Sequence, residues 1–520
     1  MTSTSPSPAR TGTAATEPGR TSVTVHPAFS VAPVSKRTFG SFVEHLGRCM
    51  YSGIYEPGHP TADEHGFRQD VLELTKQLGV TLVRYPGGNF VSGFRWEDSV
   101  GSRDQRPTRV DLAWATTETN EFGLDEFMQW CRVAEVEPMM AINLGTRGTE
   151  AAIDLFEYSN HSGSSTLADA RVANTRALGA TGDPHDIRLW CLGNEMDGPW
   201  QLGHKTAEEY GRLAAETARA LRRADASIEL VACGSSGSQM QTFGAWEQAV
   251  LDEAYDFVDY ISLHSYYQES GDRASFLASA VDMQKFIRDV VAIADAAGAK
   301  RKSTKKIMLS YDEWNVWYLG GAASEKVPGY PVAPPILEDN YTVTDAVVVG
   351  SMLMTLLRNN DRVTVACQAQ LVNVIAPIMT ERGGGTWTQT IFHPFALTAR
   401  YAGGTVLDAR VSTPLVTTAK YGDVDMVDAV VTWDQEGGTA AVFLVNRSTT
   451  QAQTVEIPLG ALRLTAVVEA LTLHDDDPYA RNSAAAPDRV VPRPNDSAQC
   501  EAGLMSIDLP SGSWTMVRLA

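Results

Sequence analysis

Two short runs hold the residues most suited to chemistry. In Gly193-Asn194-Glu195 a glutamate follows an apolar stretch, and in Tyr311-Asp312-Glu313-Trp314-Asn315 a second glutamate does the same. A carboxylic acid can protonate a departing oxygen and a carboxylate can attack an electrophilic carbon, so two carboxyls across one pocket suit glycoside hydrolysis. Their separation decides the outcome. About 5–5.5 Å implies retention through a glycosyl-enzyme, and about 6.5–9.5 Å implies inversion with a water between them. With the pair close, the charge of Glu313 is expected to raise the pKa of Glu195 and keep it protonated for the first step. Either glutamate alone reads more simply as a strand end paired with a loop arginine. The pair gains weight because both glutamates end candidate strands of one repeating pattern.

That pattern runs from about Thr38 to about Asn373, where short apolar runs alternate with amphipathic stretches, as in repeated βα units around a parallel sheet. Eight candidate strands can be counted: TFGSFVEHL from Thr38, VTLVRYPG from Val80, EPMMAINLG from Glu137, IRLWCLGNE from Ile187, IELVACGSS from Ile228, FVDYISLHSY from Phe257, KKIMLSYDEW from Lys305 and VTVACQAQLVN from Val363. Helices are expected over ADEHGFRQDVLELTKQLG, LDEFMQWCRVAEV, TAEEYGRLAAETARALRRAD and DAVVVGSMLMTLLRNND, several opening on a Thr or Asp cap. Eight strands without a Gly-rich phosphate turn favour an α/β fold of the (β/α)8 TIM-barrel type over a doubly wound sheet. The glutamates then end strands four and seven, at the catalytic face of such a barrel.

After about Phe395 the spacing shortens to TPLVTTAKY, MVDAVVTWD, TAAVFLVNR, QTVEIPL, LTAVVEALTL and SWTMVRLA, which reads as an antiparallel, jelly-roll-like β-sandwich. The expected division is a disordered tail at 1–20, a strand at 21–37 lent to the sandwich, the catalytic barrel at 38–394 and the sandwich at 395–520. The Pro-rich stretch from His474 is expected as a surface loop or disordered excursion.

Other strand ends carry groups that could ring a sugar. Glu44 and His45 end strand one, and Arg84, Gly87, Gly88 and Asn89 follow strand two. Asn143 ends strand three, His264 and Tyr266 strand six, and Gln370 and Asn373 strand eight; Trp96, Trp114, Trp200 and Trp317 could stack on sugar faces. Each alone is as readily a satisfied barrel hydrogen bond or a core aromatic. There is no HExxH, Cys/His ligand spacing or calcium loop, so no metal is expected.

Bulk properties narrow the partners. With 520 residues, 43% apolar and 20% charged, the chain has the composition of a soluble globular protein with more than one domain. A net charge of −20 argues against nucleic acid or an anionic membrane as partner. Six scattered cysteines suggest reduced core thiols, and the N-terminus lacks a signal-type apolar run, so a cytoplasmic protein is expected.

The runs FGSFVEHLGRCMYSGIYEPGH, VRYPGGNFVSGFRWEDSVG, WATTETNEFGLDEFMQWC, INLGTRG, LWCLGNEMDGPWQLGH, SLHSYY, SYDEWNVWY and AQLVNVIAPI resemble the α-L-arabinofuranosidases of glycoside hydrolase family 51, over most of the barrel from Phe39 to His393. The resemblance implies a retaining, exo-acting enzyme that needs no cofactor and assembles as a homohexamer. It makes Glu195 the acid/base and Glu313 the nucleophile. It places Glu44, Asn89, Asn194, Tyr266 and Gln370 around an arabinofuranosyl ring, Arg84 and His264 against the carboxylates, and Trp114 and Trp317 as walls. A β-xylosidase or endo-β-glucanase using the same carboxylate pair is the alternative within the enzyme class. An inactive sugar-binding relative is the alternative outside it.

Overall fold

The computed structural model describes residues 19–320, 325 and 327–520. All eight predicted barrel strands form and close on themselves in chain order, every neighbouring pair parallel. They span Gly40–Phe42, Leu82–Tyr85, Glu137–Ala141, Leu189–Leu192, Glu229–Ala232, Tyr260–Tyr267, Met308–Val316 and Val363–Ala369. Strands two and four are buried on both faces, which is why they read as unbroken apolar runs.

Thr206 caps as expected, forming a reciprocal capping box with Glu209 at helix Ala207–Ala224. The helix expected to open on Asp345 starts earlier, at Val343, with Thr342 as its cap and Asp345 closing the box from inside the first turn. The first predicted helix is shorter than its amphipathic pattern, running only over Gln69–Leu78. Asp63 Oδ1 accepts the amides of His65 and Phe67 at 2.9 Å each, folding the preceding stretch into a side-chain-closed turn. Helices Thr149–Asn160, Thr166–Ala177, Ala245–Ala254 and Ala280–Arg301 fill the layer the sequence reading left open. The predicted division between 394 and 395 falls inside helix Phe392–Tyr401, which packs on helices Gln69–Leu78 and Val343–Arg358 and so continues the barrel's outer layer.

Beyond that helix, among the described residues, lie two large sheets and a separate two-stranded one, Leu415–Thr418 with Gly422–Asp425, so the strand expected in TPLVTTAKY pairs with its own hairpin partner and not within the sandwich. The five-stranded one runs Arg410–Ser412, Gly19–Thr24, Gln453–Pro458, Leu504–Leu509, Gln499–Glu501. The seven-stranded one runs Ser30–Pro33, Thr405–Leu407, Val427–Asp434, Thr439–Asn446, Ser513–Leu519, Val467–Leu473, Arg493–Pro494. The N-terminal segment therefore gives one strand to each sheet. Gly19 and Arg20, expected in the tail, open the first of these strands, and the remainder of the tail lies outside the described residues. The pairing of Gly19–Thr24 with Gln453–Pro458 is parallel, unlike the antiparallel sandwich expected. A strand arriving from the far end of the chain is free of the hairpin constraint that makes sequence neighbours antiparallel.

Alternate residues of strands Val427–Asp434 and Thr439–Asn446 serve different cores. Val427, Ala429, Val431, Val442 and Leu444 face the five-stranded sheet, while Val430, Ala441, Phe443 and Val445 join the barrel's core. The seven-stranded sheet is thus covered on both faces. Its barrel-side partner, helix Val343–Arg358, is buried from Val343 through Leu357, as an all-round apolar helix must be.

The stretch from His474 is ordered, with Asn482 and Val490 buried. The carbonyls of Ala480 and Pro478 accept from Val343 N at 2.8 Å and Thr344 Oγ1 at 2.7 Å. The sandwich thereby satisfies the start of the very helix it covers. Five cysteines are buried and Cys500 is half-buried, all as free thiols. Among the described residues no helix is long and apolar enough to cross a membrane.

Helix Val343–Arg358 and the sheet meet at Gly350, where a Cβ would stand 2.2 Å from Trp514 Cδ1. Gly350→Ala is expected to lower unfolding stability by about 1–3 kcal/mol through overpacking. Urea denaturation checks this, and a variant as stable as wild type would show that the contact yields easily.

Candidate active site

Glu195 sits just past strand four, where Gly193 at φ +101° and Glu195 itself at φ +44° turn the chain across the barrel mouth. A non-glycine residue in the left-handed region costs about 1–3 kcal/mol and is held there by its surroundings. Glu313 lies within strand seven. Pairing between strands seven and eight slips between Tyr311 and Trp314, and pairing between strands six and seven slips between Ser262 and His264. Such irregularities re-aim side chains at barrel rims. Here the consecutive residues Asp312 and Glu313 both reach His264, which a regular alternating strand would not allow.

One carboxylate oxygen of Glu195, one of Glu313 and a ring nitrogen of His264 lie within 4.8 Å of one another. His264 Nδ1 is 2.9 Å from Glu195 Oε1 and 3.6 Å from Glu313 Oε2, and its Nε2 is 2.8 Å from Asp312 Oδ1. Arg84, 1% exposed, donates from Nη1 to Glu313 Oε1 at 2.8 Å and from Nη2 to Asn194 Oδ1 at 2.7 Å. The Tyr266 hydroxyl donates to Glu313 Oε2 at 2.7 Å, and Trp317 stands edge-on to the Tyr266 ring. Trp200, half exposed, donates from Nε1 to Glu195 Oε2 at 2.7 Å.

Burial disfavours a charged His264, but Glu313, Asp312 and Glu195 together outweigh it and lift the ring to about 10. It is therefore an imidazolium at neutral pH. Burial raises the Glu195 carboxyl, with the charge of Glu313 adding to it and hydrogen bonds from His264 and Trp200 opposing. Burial alone would raise Asp312 too, yet Arg84 and His264 hold it below the usual range. Glu195, His264 and Glu313 are also the described residues whose ligand atoms converge as a cation site would need. An imidazolium donating from both nitrogens has no lone pair for a metal, so the geometry reads as a hydrogen-bonded trio.

A second group forms the neighbouring wall. Glu44 accepts from Phe90 N at 2.9 Å, Trp114 Nε1 at 3.0 Å and Gln370 Nε2 at 3.0 Å. Burial pushes its carboxyl up to about 8, against the pull of these donors. Gly88 joins the two groups, because a Cβ there would lie 3.2 Å from Glu313 Oε1 and 3.4 Å from Glu44 Oε2. Asn89 follows at the start of a short 3-10 turn, half-buried.

Glu44, Asn89, Asn194, Tyr266 and Gln370 thus lie in or beside these two groups. Other strand-end residues do not. His45 is buried between Glu118 Oε2 at 2.8 Å and the Tyr85 hydroxyl at 3.1 Å. Asn143 closes its own loop by accepting from Gly145 N and Thr146 N, and Asn373 ties down Arg48 O and Thr380. Trp96 packs on Tyr158 in the core, with ring centroids 5.1 Å apart. Sequence reasoning missed Asp312 as the partner of His264, and the direct bond from Trp200 to Glu195. Adjacency to Glu313 was the signal for the first, concealed by the strand irregularity.

A closed parallel barrel presenting two neighbouring glutamates from strands four and seven defines a glycoside hydrolase. Residues 74–288 match the model of the α-L-arabinofuranosidase 1 domain and 312–513 that of the α-L-arabinofuranosidase C-terminal domain. The chain is 58% identical to an intracellular exo-α-(1→5)-L-arabinofuranosidase of Streptomyces lividans, over 96% of this chain and 75% of that one. It is 53% identical to an exo-α-(1→6)-L-arabinofuranosidase of Bifidobacterium longum, over 94% and 95%. A solved family 51 α-L-arabinofuranosidase from Bifidobacterium longum superposes with a TM-score of 0.92 at 50% identity, covering 96% of this chain and 100% of that one. The chain belongs to the α-L-arabinofuranosidases of glycoside hydrolase family 51. None of these relatives is a β-xylosidase or an endo-β-glucanase.

The raised Glu44 carboxyl has a consequence for stability. Between about pH 4.5 and about 8 the folded protein keeps a proton here that the unfolded chain releases, so this group's contribution falls as pH rises through that window. Glu44→Gln should remove a slope of up to about 1.4 kcal/mol per pH unit. Urea unfolding of both proteins at pH 5 and pH 8 checks it, and parallel slopes would refute it.

Proposed function

We propose that the protein is an exo-acting, retaining glycoside hydrolase releasing terminal non-reducing α-L-arabinofuranosyl residues by double displacement, with Glu313 as nucleophile and Glu195 as general acid, then base. The observation that supports retention is that one carboxyl oxygen of Glu195 and one of Glu313 lie within 4.8 Å of each other, bridged by His264, which leaves little room for a water between them. His264, the charged partner, holds Oε1 of Glu195, and we assign the transferable proton to Oε2, whose neutral partner is the indole N–H of the half-exposed Trp200. That proton passes to the glycosidic oxygen as its bond to the anomeric carbon breaks and Glu313 bonds to that carbon. Water then attacks the same carbon, giving its proton to Glu195 and freeing Glu313.

Glu44, Asn89, Asn194, Tyr266 and Gln370 are the groups we assign to the sugar ring, with Trp114 and Trp317 as walls. In support, Gln370 Oε1 and Trp317 Nε1 are buried without a protein partner among the described residues. Unsatisfied buried polar atoms are uncommon, and here a ligand hydroxyl would complete them. The names of the relatives support the substrate class, and the one from Streptomyces lividans supports α-(1→5)-linked oligosaccharides as substrates. Its description as intracellular supports a cytoplasmic location. The homohexamer implied by family resemblance stays our proposal for the assembly, to be measured by sedimentation equilibrium.

Glu313→Gly should abolish turnover, and azide should restore it while yielding the β-configured arabinosyl azide from an aryl α-L-arabinofuranoside. An active variant without azide would sink the nucleophile assignment. Glu195→Ala should cost on the order of 10²–10⁴-fold on unactivated arabinosides and far less on aryl glycosides with good leaving groups, which need no protonation. Equal losses on both would refute the acid role. Proton NMR of wild-type hydrolysis should show the α-anomer first, and an initial β-anomer would overturn retention.

A further inference from the structure

Asp312 has no part in the two-glutamate scheme, yet it is 1% exposed and carries a full set of partners. Its Oδ1 takes His264 Nε2 at 2.8 Å, and its Oδ2 accepts from Ser310 Oγ at 3.1 Å and lies 4.0 Å from Arg84 Nε. The ring so anchored aims Nδ1 at the space between the catalytic carboxyls, 2.9 Å from Glu195 Oε1 and 3.6 Å from Glu313 Oε2. Double displacement moves one negative charge across this space. It starts on Glu313, rests on Glu195 while the sugar is esterified to Glu313, and returns when water attacks.

We propose that Asp312 is a positioning residue that fixes His264 as a cation so that one Nδ1–H, without turning, faces whichever catalytic glutamate bears the charge. No bond is made or broken at the ring, and the proton in flight stays between Glu195 and the leaving group or water. The inference rests on the assignment of Glu195 and Glu313. A purely structural Asp312 would serve only to satisfy Nε2 in a buried site. The other charged or titratable groups around this pair are Arg84, Asp197 and the thiols of Cys191, Cys233 and Cys367, which burial keeps protonated.

The test is the pH dependence of kcat/KM for Asp312→Asn. Without the anion one of the groups that hold the ring as a cation is gone, and a weakened neighbouring cation raises the pKa of a carboxyl. Both limbs of the profile should move alkaline by about one unit, and kcat should fall about 10- to 100-fold with KM little changed. Limbs that stay at their wild-type positions overturn the proposal, whatever the rate. Should the variant fail to fold, 15N-histidine NMR of the wild-type enzyme decides. Two ring N–H signals for His264 are expected, both free and after trapping with a 2-fluoro-arabinofuranosyl donor, and a singly protonated ring in either state overturns the idea. Azide rescue of Glu313→Gly run alongside separates the outcomes. Its failure removes the underlying assignment, while success beside unmoved limbs in Asp312→Asn removes this inference alone.

Discussion

Charge balance in a dry place is the constraint on which this site depends. Four carboxyl side chains, Glu44, Glu195, Asp312 and Glu313, converge with two cations, Arg84 and His264, where all six are buried or nearly so. Removing a charge from water costs several kcal/mol unless partners replace the lost hydration. The arrangement meets that cost by spacing rather than by number. Arg84 spans Glu313, Asn194 and the flank of Asp312, His264 spans the remaining gap, and Glu44 escapes by favouring its protonated form.

Such a network tolerates little movement, and the rest of the fold supplies the stiffness. Strand ends of a closed barrel cannot slide independently, since each is hydrogen-bonded on both sides. The helix that follows strand seven and its loop is buried around its whole circumference and clamped by the seven-stranded sheet, whose far face is covered in turn by the five-stranded one. The stretch from His474 closes the start of that helix. The sandwich is therefore continuous with the core behind strand seven, and the N-terminal segment knits it further by adding a strand to each sheet.

Much of this was legible before any coordinates. The eight barrel strands announced themselves as short apolar runs, most of them ending in polar residues, because a strand buried on both faces has no alternation to confuse. The glutamates at ends four and seven followed from counting. What stayed hidden was whatever depends on irregularity or on distant sequence. A period-two reading puts Asp312 and Glu313 on opposite faces, and only the slipped register brings both to His264. His45 and Asn143 also end predicted strands, but their partners, Glu118 at the end of the short strand Thr116–Glu118 and Phe94 in a loop, come from segments that no local pattern connects to them. Ala280–Arg301 was overlooked because its buried side includes Ala280, Ala294, Ala297 and Gly298, giving a weak apolar stripe. The parallel pairing of Gly19–Thr24 joins residues more than four hundred positions apart.

Two chemically identical residues are assigned opposite tasks here, and their surroundings account for the difference. Glu313 receives a guanidinium on one oxygen and a phenol hydroxyl on the other. Glu195 shares its cation with Asp312 and Glu313, and its second oxygen meets only the indole N–H of a half-exposed tryptophan. Burial without a cation of its own is what raises a carboxyl toward the acid form. The asymmetry is set by Arg84, which strand two delivers to one glutamate and not the other. The neighbouring Glu44 obeys the same logic, since it has no cation among its direct partners and sits high as well.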